Sequence, residues 1–159
     1  MGRAAGLRRL TIEGTKVLLL EMPFAQWTAA MEREVRQIIM EQGLTVVLAH
    51  LERFIPLQKD KTVMDRILSL PLMVQVNTAS LFSGGFLGMG KGKTALKVLA
   101  DTPEVVLGSD CHSPNSRPVT IREGREVISK KLGDEILAES DAAAAKLLRG
   151  AKTVEAYLQ

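Results

Sequence analysis

The chain has 159 residues, 46% hydrophobic and 25% charged, with a formal net charge of +3. That supports one domain over residues 1–159 with a core of its own. No apolar run approaches the roughly 20 residues that span a bilayer, so a membrane-spanning chain is not expected. Positive residues are interspersed with negative ones and aromatics are only 4%, which argues against a nucleic-acid face. A single cysteine excludes an internal disulfide, and the basic N-terminus lacks the apolar stretch of a secretion signal; both fit a reducing cytoplasm.

Strand-like and helix-like segments alternate along the chain. Val17–Leu20 is a short aliphatic run stopped by Pro23. Residues 28–42 have helical spacing, with Met31, Val35, Ile38 and Ile39 on one face and Gly43 as the stop. Residues 45–49 read as a buried strand, 57–70 as a helix through Val63, Ile67 and Leu68, and 72–77 as the next strand. A helix over 94–100, a strand over 104–109 and a helix over 120–132 follow. The last helix is expected over 141–148, capped by Ser140 and closed by Gly150. This β-α-β-α order, with Val and Leu at consecutive strand positions, predicts an α/β fold of parallel strands buried on both faces. Four strands are too few to close an eight-stranded barrel, so an open sheet or part of a barrel is expected.

The ends of those strands carry the chemistry. In parallel α/β folds, sites are built at the carboxyl ends of strands. Glu21 follows the first strand, His50 the second, and Asp110 and His112 the last. Asp110 and His112 are separated by one residue, so in extended backbone their side chains point to one side. A carboxylate and an imidazole there can bind one divalent ion, and mixed N/O donors suit zinc, manganese or iron. Each residue also has a plainer reading: Asp110 as a cap, His112 as a surface group, His50 as a core histidine, Glu21 as a strand-end charge. Glu52 reads as an exposed residue or as a partner behind the ligands. Arg53 and Arg117 follow the two histidine sites and could clamp a phosphate bidentately, or form surface ion pairs. Asn77 and Ser80 follow the third strand and could line the same rim; Gln75 and Asn77 are spaced to face one way.

Two rival motifs are weaker. Residues 83–94 are rich in glycine and end in Lys-Thr. A phosphate loop needs glycine at 87, where Leu87 stands, so a flexible loop is expected. Cys111 and Arg117 have the spacing of cysteine-dependent phosphatases. Against that reading, Pro114 removes an amide, the loop has no glycine, and Asp110 would raise the thiol pKa.

Taken in order, Glu21-Met22-Pro23-Phe24, Ala49-His50-Leu51-Glu52-Arg53, Gln75-Val76-Asn77-Thr78-Ala79-Ser80-Leu81 and Ser109-Asp110-Cys111-His112 resemble a known family. It is that of the bacterial metal-dependent protein-tyrosine phosphatases of capsular and exopolysaccharide operons, within the polymerase and histidinol phosphatase (PHP) superfamily. The resemblance runs from about Leu10 to Leu148. It implies the C-terminal portion of a distorted β/α barrel with outer helices, and a divalent-ion cluster at the strand ends, manganese first, with iron or zinc as alternatives. It implies Glu21, His50, Asp110 and His112 as metal ligands, with Arg53 and Arg117 as phosphate-binding catalytic residues. The implied partner is a phosphotyrosine protein, the tyrosine autokinase of polysaccharide export. The chain departs from the pattern: no histidine precedes His50, Leu51 replaces a proline, and Cys111 replaces a small residue. By normal domain length, roughly the first third or more of a family member has no counterpart here. A reduced metal cluster and exposed sheet edges follow. The expectation is therefore a homo-oligomer or a partner completing the barrel, with a non-catalytic remnant as a further reading.

Overall fold

The structure, a computed structural model, describes residues 4–82, 89–113 and 115–149. Four strands, β1 (Val17–Leu20), β2 (Thr45–Leu48), β3 (Met73–Asn77) and β4 (Val105–Gly108), form one sheet in the order β1-β2-β3-β4. Every pairing is parallel, with Leu20 beside Leu48 and Val74 beside Val105. The helices are α1 (Ala29–Gln42), α2 (Leu51–Phe54), α3 (Val63–Leu68), α4 (Met89–Asp101), α5 (Ile121–Leu132) and α6 (Asp134–Leu147). Parallel neighbours need crossovers, and these helices supply them. All four strand exits therefore lie on one edge of the sheet. The α/β architecture with parallel strands and outer helices is the one expected from sequence.

Alternation along the strands splits the core in two. One face presents Val46, Leu48, Val74, Val76 and Val105 to α1 through α5, meeting Val35, Leu51, Ile67, Val98 and Ile128. The opposite face presents Val17, Val47 and Val106, covered by Ala143, Ala144 and Leu147 of α6. That cover is partial. Leu19 on β1 is 57% exposed, and a cleft of about 440 Å³ runs from Val17, Val47 and Val106 up to Glu21, His50 and Asp110.

Helix α1 begins and ends as its sequence predicts. The Thr28 hydroxyl accepts the Met31 N–H, and Gly43, at φ 63°, donates its N–H to Ile39 O. Of the helix expected over 57–70, only α3 (Val63–Leu68) forms; Leu57 ends a 3-10 turn over Ile55–Leu57, and the residues between are not helical. Asp60 Oδ1 accepts from both the N–H and the hydroxyl of Thr62, offering the backbone a local turn in place of the helix ladder. The last helix starts seven residues earlier than Ser140 would place it, at Asp134 rather than Asp141. Gly133 at φ 95° separates it from α5, and Ser140 is a buried mid-helix residue. Gly150 and Pro114 lie outside the described residues. Of the glycine-rich segment, 83–88 lie outside them as well, while 89–94 are helical, the first turns of α4. The loop expected across 83–94 is corrected there.

Candidate active site at the strand exits

Two of the predicted residues turn the chain sharply as it leaves its strand. His50 has φ 35° and ψ 51°, and Asp110 has φ 51°. Non-glycine residues pay about 1–2 kcal/mol for this left-handed conformation, and such strain collects at functional sites. The backbone at Asp110 is therefore not extended, contrary to the spacing argument. The side chains of Asp110 and His112 still meet, with Oδ1 3.1 Å from Nε2. At His50, the turn is held by Gln75 of β3, whose Oε1 accepts the buried His50 N–H at 2.8 Å. Gln75 lies across β4 where residue 108 has no side chain; a Cβ there would stand 2.3 Å from Gln75 Nε2.

Asp110 is the hub of the site. Its Oδ2 accepts Arg53 Nη1 at 2.8 Å and Arg117 Nη1 at 2.7 Å, and Asn77 Nδ2 approaches at 3.3 Å. Two guanidinium groups, one carried by α2 after β2 and one by the loop after β4, thus converge on one oxygen. Burial pushes the Asp110 carboxyl up. The His112 hydrogen bond and the charges of Arg53 and Arg117 outweigh that push and hold it below the usual aspartate range. His112 Nε2 sits between Arg117 Nη1 at 2.8 Å and Asp110 Oδ1. It can accept from the first or donate to the second, according to its tautomer.

A second pair lies beside this hub. His50 Nε2 is 3.2 Å from Glu21 Oε1, and the exposed Phe24 ring stacks on the imidazole at a centroid distance of 6.1 Å. The loop carrying Glu21 and Phe24 is pinned by buried Gln58. Its Oε1 accepts Trp27 N–H and its Nε2 donates to Ala25 O.

The predicted metal ligands therefore form two N/O pairs, Glu21 with His50 and Asp110 with His112. Among the described residues His50 Nδ1 is buried without a hydrogen-bond partner, so that ring has a nitrogen to spare. Yet among the described residues no group of three or more His, Cys, Asp or Glu is arranged to hold a metal ion. Zinc sites use at least three protein ligands. By themselves these residues do not fit a resident divalent ion.

Glu52 is fully buried, which corrects the exposed reading. Its Oε1 accepts the Ser80 hydroxyl at 2.6 Å and its Oε2 the Asn77 N–H at 3.3 Å. Burial pushes this carboxyl up, against the pull of those hydrogen bonds and of Arg53. Ser80, expected on the rim, is buried behind it with its hydroxyl on Glu52. Asn77 is buried too, but its amide reaches Asp110. Sequence reasoning missed Gln58 and the pairing of Gln75 with Gly108. A glutamine on an otherwise apolar strand was the available signal for the latter. Cys111 is exposed, and Arg117 directs its Nη1 to Asp110 and His112.

Comparison with known proteins gives a family and a fold. The family model described as "Capsular polysaccharide synthesis, CpsB/CapC" matches residues 4–148. Among solved structures, the chain is similar to one from the crystal structures of YwqE from Bacillus subtilis and CpsB from Streptococcus pneumoniae. Those are described as unique metal-dependent tyrosine phosphatases. The TM-score is 0.74 at 22% sequence identity, over 96% of this chain and 62% of that one. This chain thus spans less than two thirds of its solved counterpart. No curated protein matches the sequence.

Proposed function

The chain belongs to the CpsB/CapC family of capsular polysaccharide synthesis, and from that premise we propose that its strand exits form the phosphate-binding part of a phosphotyrosine-protein hydrolase. The observation that carries this reading is the convergence of Arg53 and Arg117 on one carboxylate oxygen of Asp110. Two guanidinium groups aimed at one oxyanion position make an anion receptor, and Asp110 is its internal occupant. A phosphomonoester would displace the Asp110 carboxylate from one or both arginines. Arg53 and Arg117 would then orient the phosphoryl oxygens and offset the charge that builds on them during P–O cleavage. The Asn77 amide would steady Asp110, and Phe24 would offer a flat apolar surface beside the site.

The substrate would be a phosphotyrosine protein, the tyrosine autokinase of polysaccharide export. The metal reading belongs to this proposal: Glu21, His50, Asp110 and His112 would be partial ligand pairs for manganese, iron or zinc, completed by donors other than these four. Hydrolysis of a phosphotyrosine peptide tests the proposal. Activity should fall in Arg53→Met and Arg117→Met and persist in Cys111→Ser. Activity lost only in Cys111→Ser would transfer the chemistry to the thiol. No helix among the described residues is long and apolar enough to cross a membrane; the cytoplasm is the proposed location.

Assembly is a second element of the proposal. Among the described residues β1 has one neighbour in the sheet, and Leu19 and Ile12 are exposed beside the apolar cleft. An open strand edge next to uncovered apolar surface favours pairing with another chain. Light scattering should report a dimer or larger, or a monomer that associates when a complementary strand-bearing partner is added. A monomer under both conditions counts against this element.

A further inference from the structure

Glu52 has no reason to be buried on stability grounds alone. Taking a carboxylate out of water is costly unless every lone pair finds a partner, and an apolar residue in the same space would avoid that cost. This one is fully buried in the first turn of α2. Its contacts all lead to the site. Oε1 takes the Ser80 hydroxyl and stands 3.9 Å from Arg53 Nε. Oε2 takes the N–H of Asn77, the last residue of β3. Arg53 is thus hydrogen-bonded through Nη1 to Asp110, with its Nε 3.9 Å from the Glu52 carboxylate, close enough for charge attraction but not for a hydrogen bond. Asn77 is held by its backbone to Glu52 while its amide meets the same Asp110 oxygen.

We infer that Glu52, fixed by Ser80, is a positioning residue that aims Arg53 and Asn77 at the oxyanion position now held by Asp110. A guanidinium anchored only by Nη1 could swing to follow whatever anion it meets. Drawn toward the buried Glu52 charge on its Nε side as well, it presents Nη1 from a narrower range of directions, so less order is lost when an anion binds. The same carboxylate ties the exit of β2 to that of β3, while Asp110 belongs to the exit of β4. One buried group therefore sets the spacing among three strand ends. The inference deepens the proposed phosphate-binding function and rests on it for the identity of the anion.

The test uses the full chain and inorganic phosphate as the probe. The Arg53 Nε–Hε resonance, assigned by its loss in Arg53→Lys, reports anchoring without any ligand. In Glu52→Gln it should shift and broaden through exchange. In Ser80→Ala, which keeps the carboxylate and carries the test if Glu52→Gln does not fold, it should shift less. Phosphate affinity should drop by on the order of tenfold in Glu52→Gln, as groups holding ligand-binding residues typically show. A purely structural role would lower the melting temperature while leaving the Arg53 resonance and the phosphate affinity where they were; that result overturns the inference. Phosphate that moves neither Arg53 nor Arg117 in the parent chain overturns the anion-site reading. The ligand-free Arg53 signal then still decides whether Glu52 positions it.

Discussion

Gly108→Ala tests how the strand exits are held together. Residue 108 is the last of β4, and its φ is not in the left-handed region, so alanine suits the backbone there. The difficulty is space. The new Cβ would stand 2.3 Å from Gln75 Nε2 and 2.8 Å from Gln75 Cδ. The amide is the far end of a flexible side chain, so the clash relaxes by rotating it away. Rotation breaks the 2.8 Å bond from His50 N–H to Gln75 Oε1 and leaves a buried donor unpaired. That costs about 1–3 kcal/mol, which for a chain of this size lowers Tm by roughly 2–4 °C per kcal/mol. Urea unfolding at constant m measures it. The mechanism predicts strong coupling: in a Gln75→Ala background, where the bond is already absent, Gly108→Ala should cost about 0 kcal/mol, or add a few tenths through unfolded-state entropy. Equal costs in both backgrounds would refute the reasoning.

Further expectations come from the same contacts. Gly124→Ala should cost more than Gly108→Ala, about 3 kcal/mol, because its Cβ would stand 2.5 Å from Cβ of buried, β-branched Thr78, which has no room to turn. At the two left-handed strand exits, His50→Gly should be about 1 kcal/mol more stable than His50→Ala, and Asp110→Gly likewise against Asp110→Ala; equal midpoints in urea would show that neither position is strained. Arg125 binds Asp141 through two hydrogen bonds and holds its carboxyl below the usual range. Its folded pKa is depressed, so its stabilisation is present above the unfolded value and is lost as pH falls through the folded one. The pair is largely exposed, so Asp141→Asn should cost no more than about 0.5 kcal/mol at pH 7, vanishing in acid and shrinking in high salt. Elemental analysis of the dialysed chain should find less than one divalent ion per chain. Full occupancy would mean that the two N/O pairs are better ligands than their geometry allows.

Much of the frame is legible in the residues. Consecutive Val and Leu mark the strands, although Leu19 of β1 stays exposed, and Thr28 by its hydroxyl and Gly43 by its left-handed backbone mark the ends of α1 within a few residues. Those signals are local. What stayed hidden depends on distant partners. Nothing near Glu52 in the chain says that Ser80 and Asn77 will close over it. Nothing near Gln75 says that residue 108 must lack a side chain to make room. The helix expected over 57–70 starts only at Val63, for a local reason that periodicity cannot see: Asp60 captures Thr62. At the site, the order of Glu21, His50, Asp110 and His112 correctly located the strand exits. It did not reveal that both arginines would settle on Asp110, since that depends on the distance between two exits 57 residues apart.

Everything proposed for the site depends on Arg53 and Arg117 acting as an anion receptor whose internal occupant is Asp110. Calorimetric titration of O-phosphotyrosine into the parent chain, Arg53→Met and Asp110→Asn tests it most directly. One-to-one binding is expected in the parent, loss in Arg53→Met, and tighter binding in Asp110→Asn, where the competing charge is gone. Unchanged affinity in Arg53→Met, or weaker binding in Asp110→Asn, would contradict it.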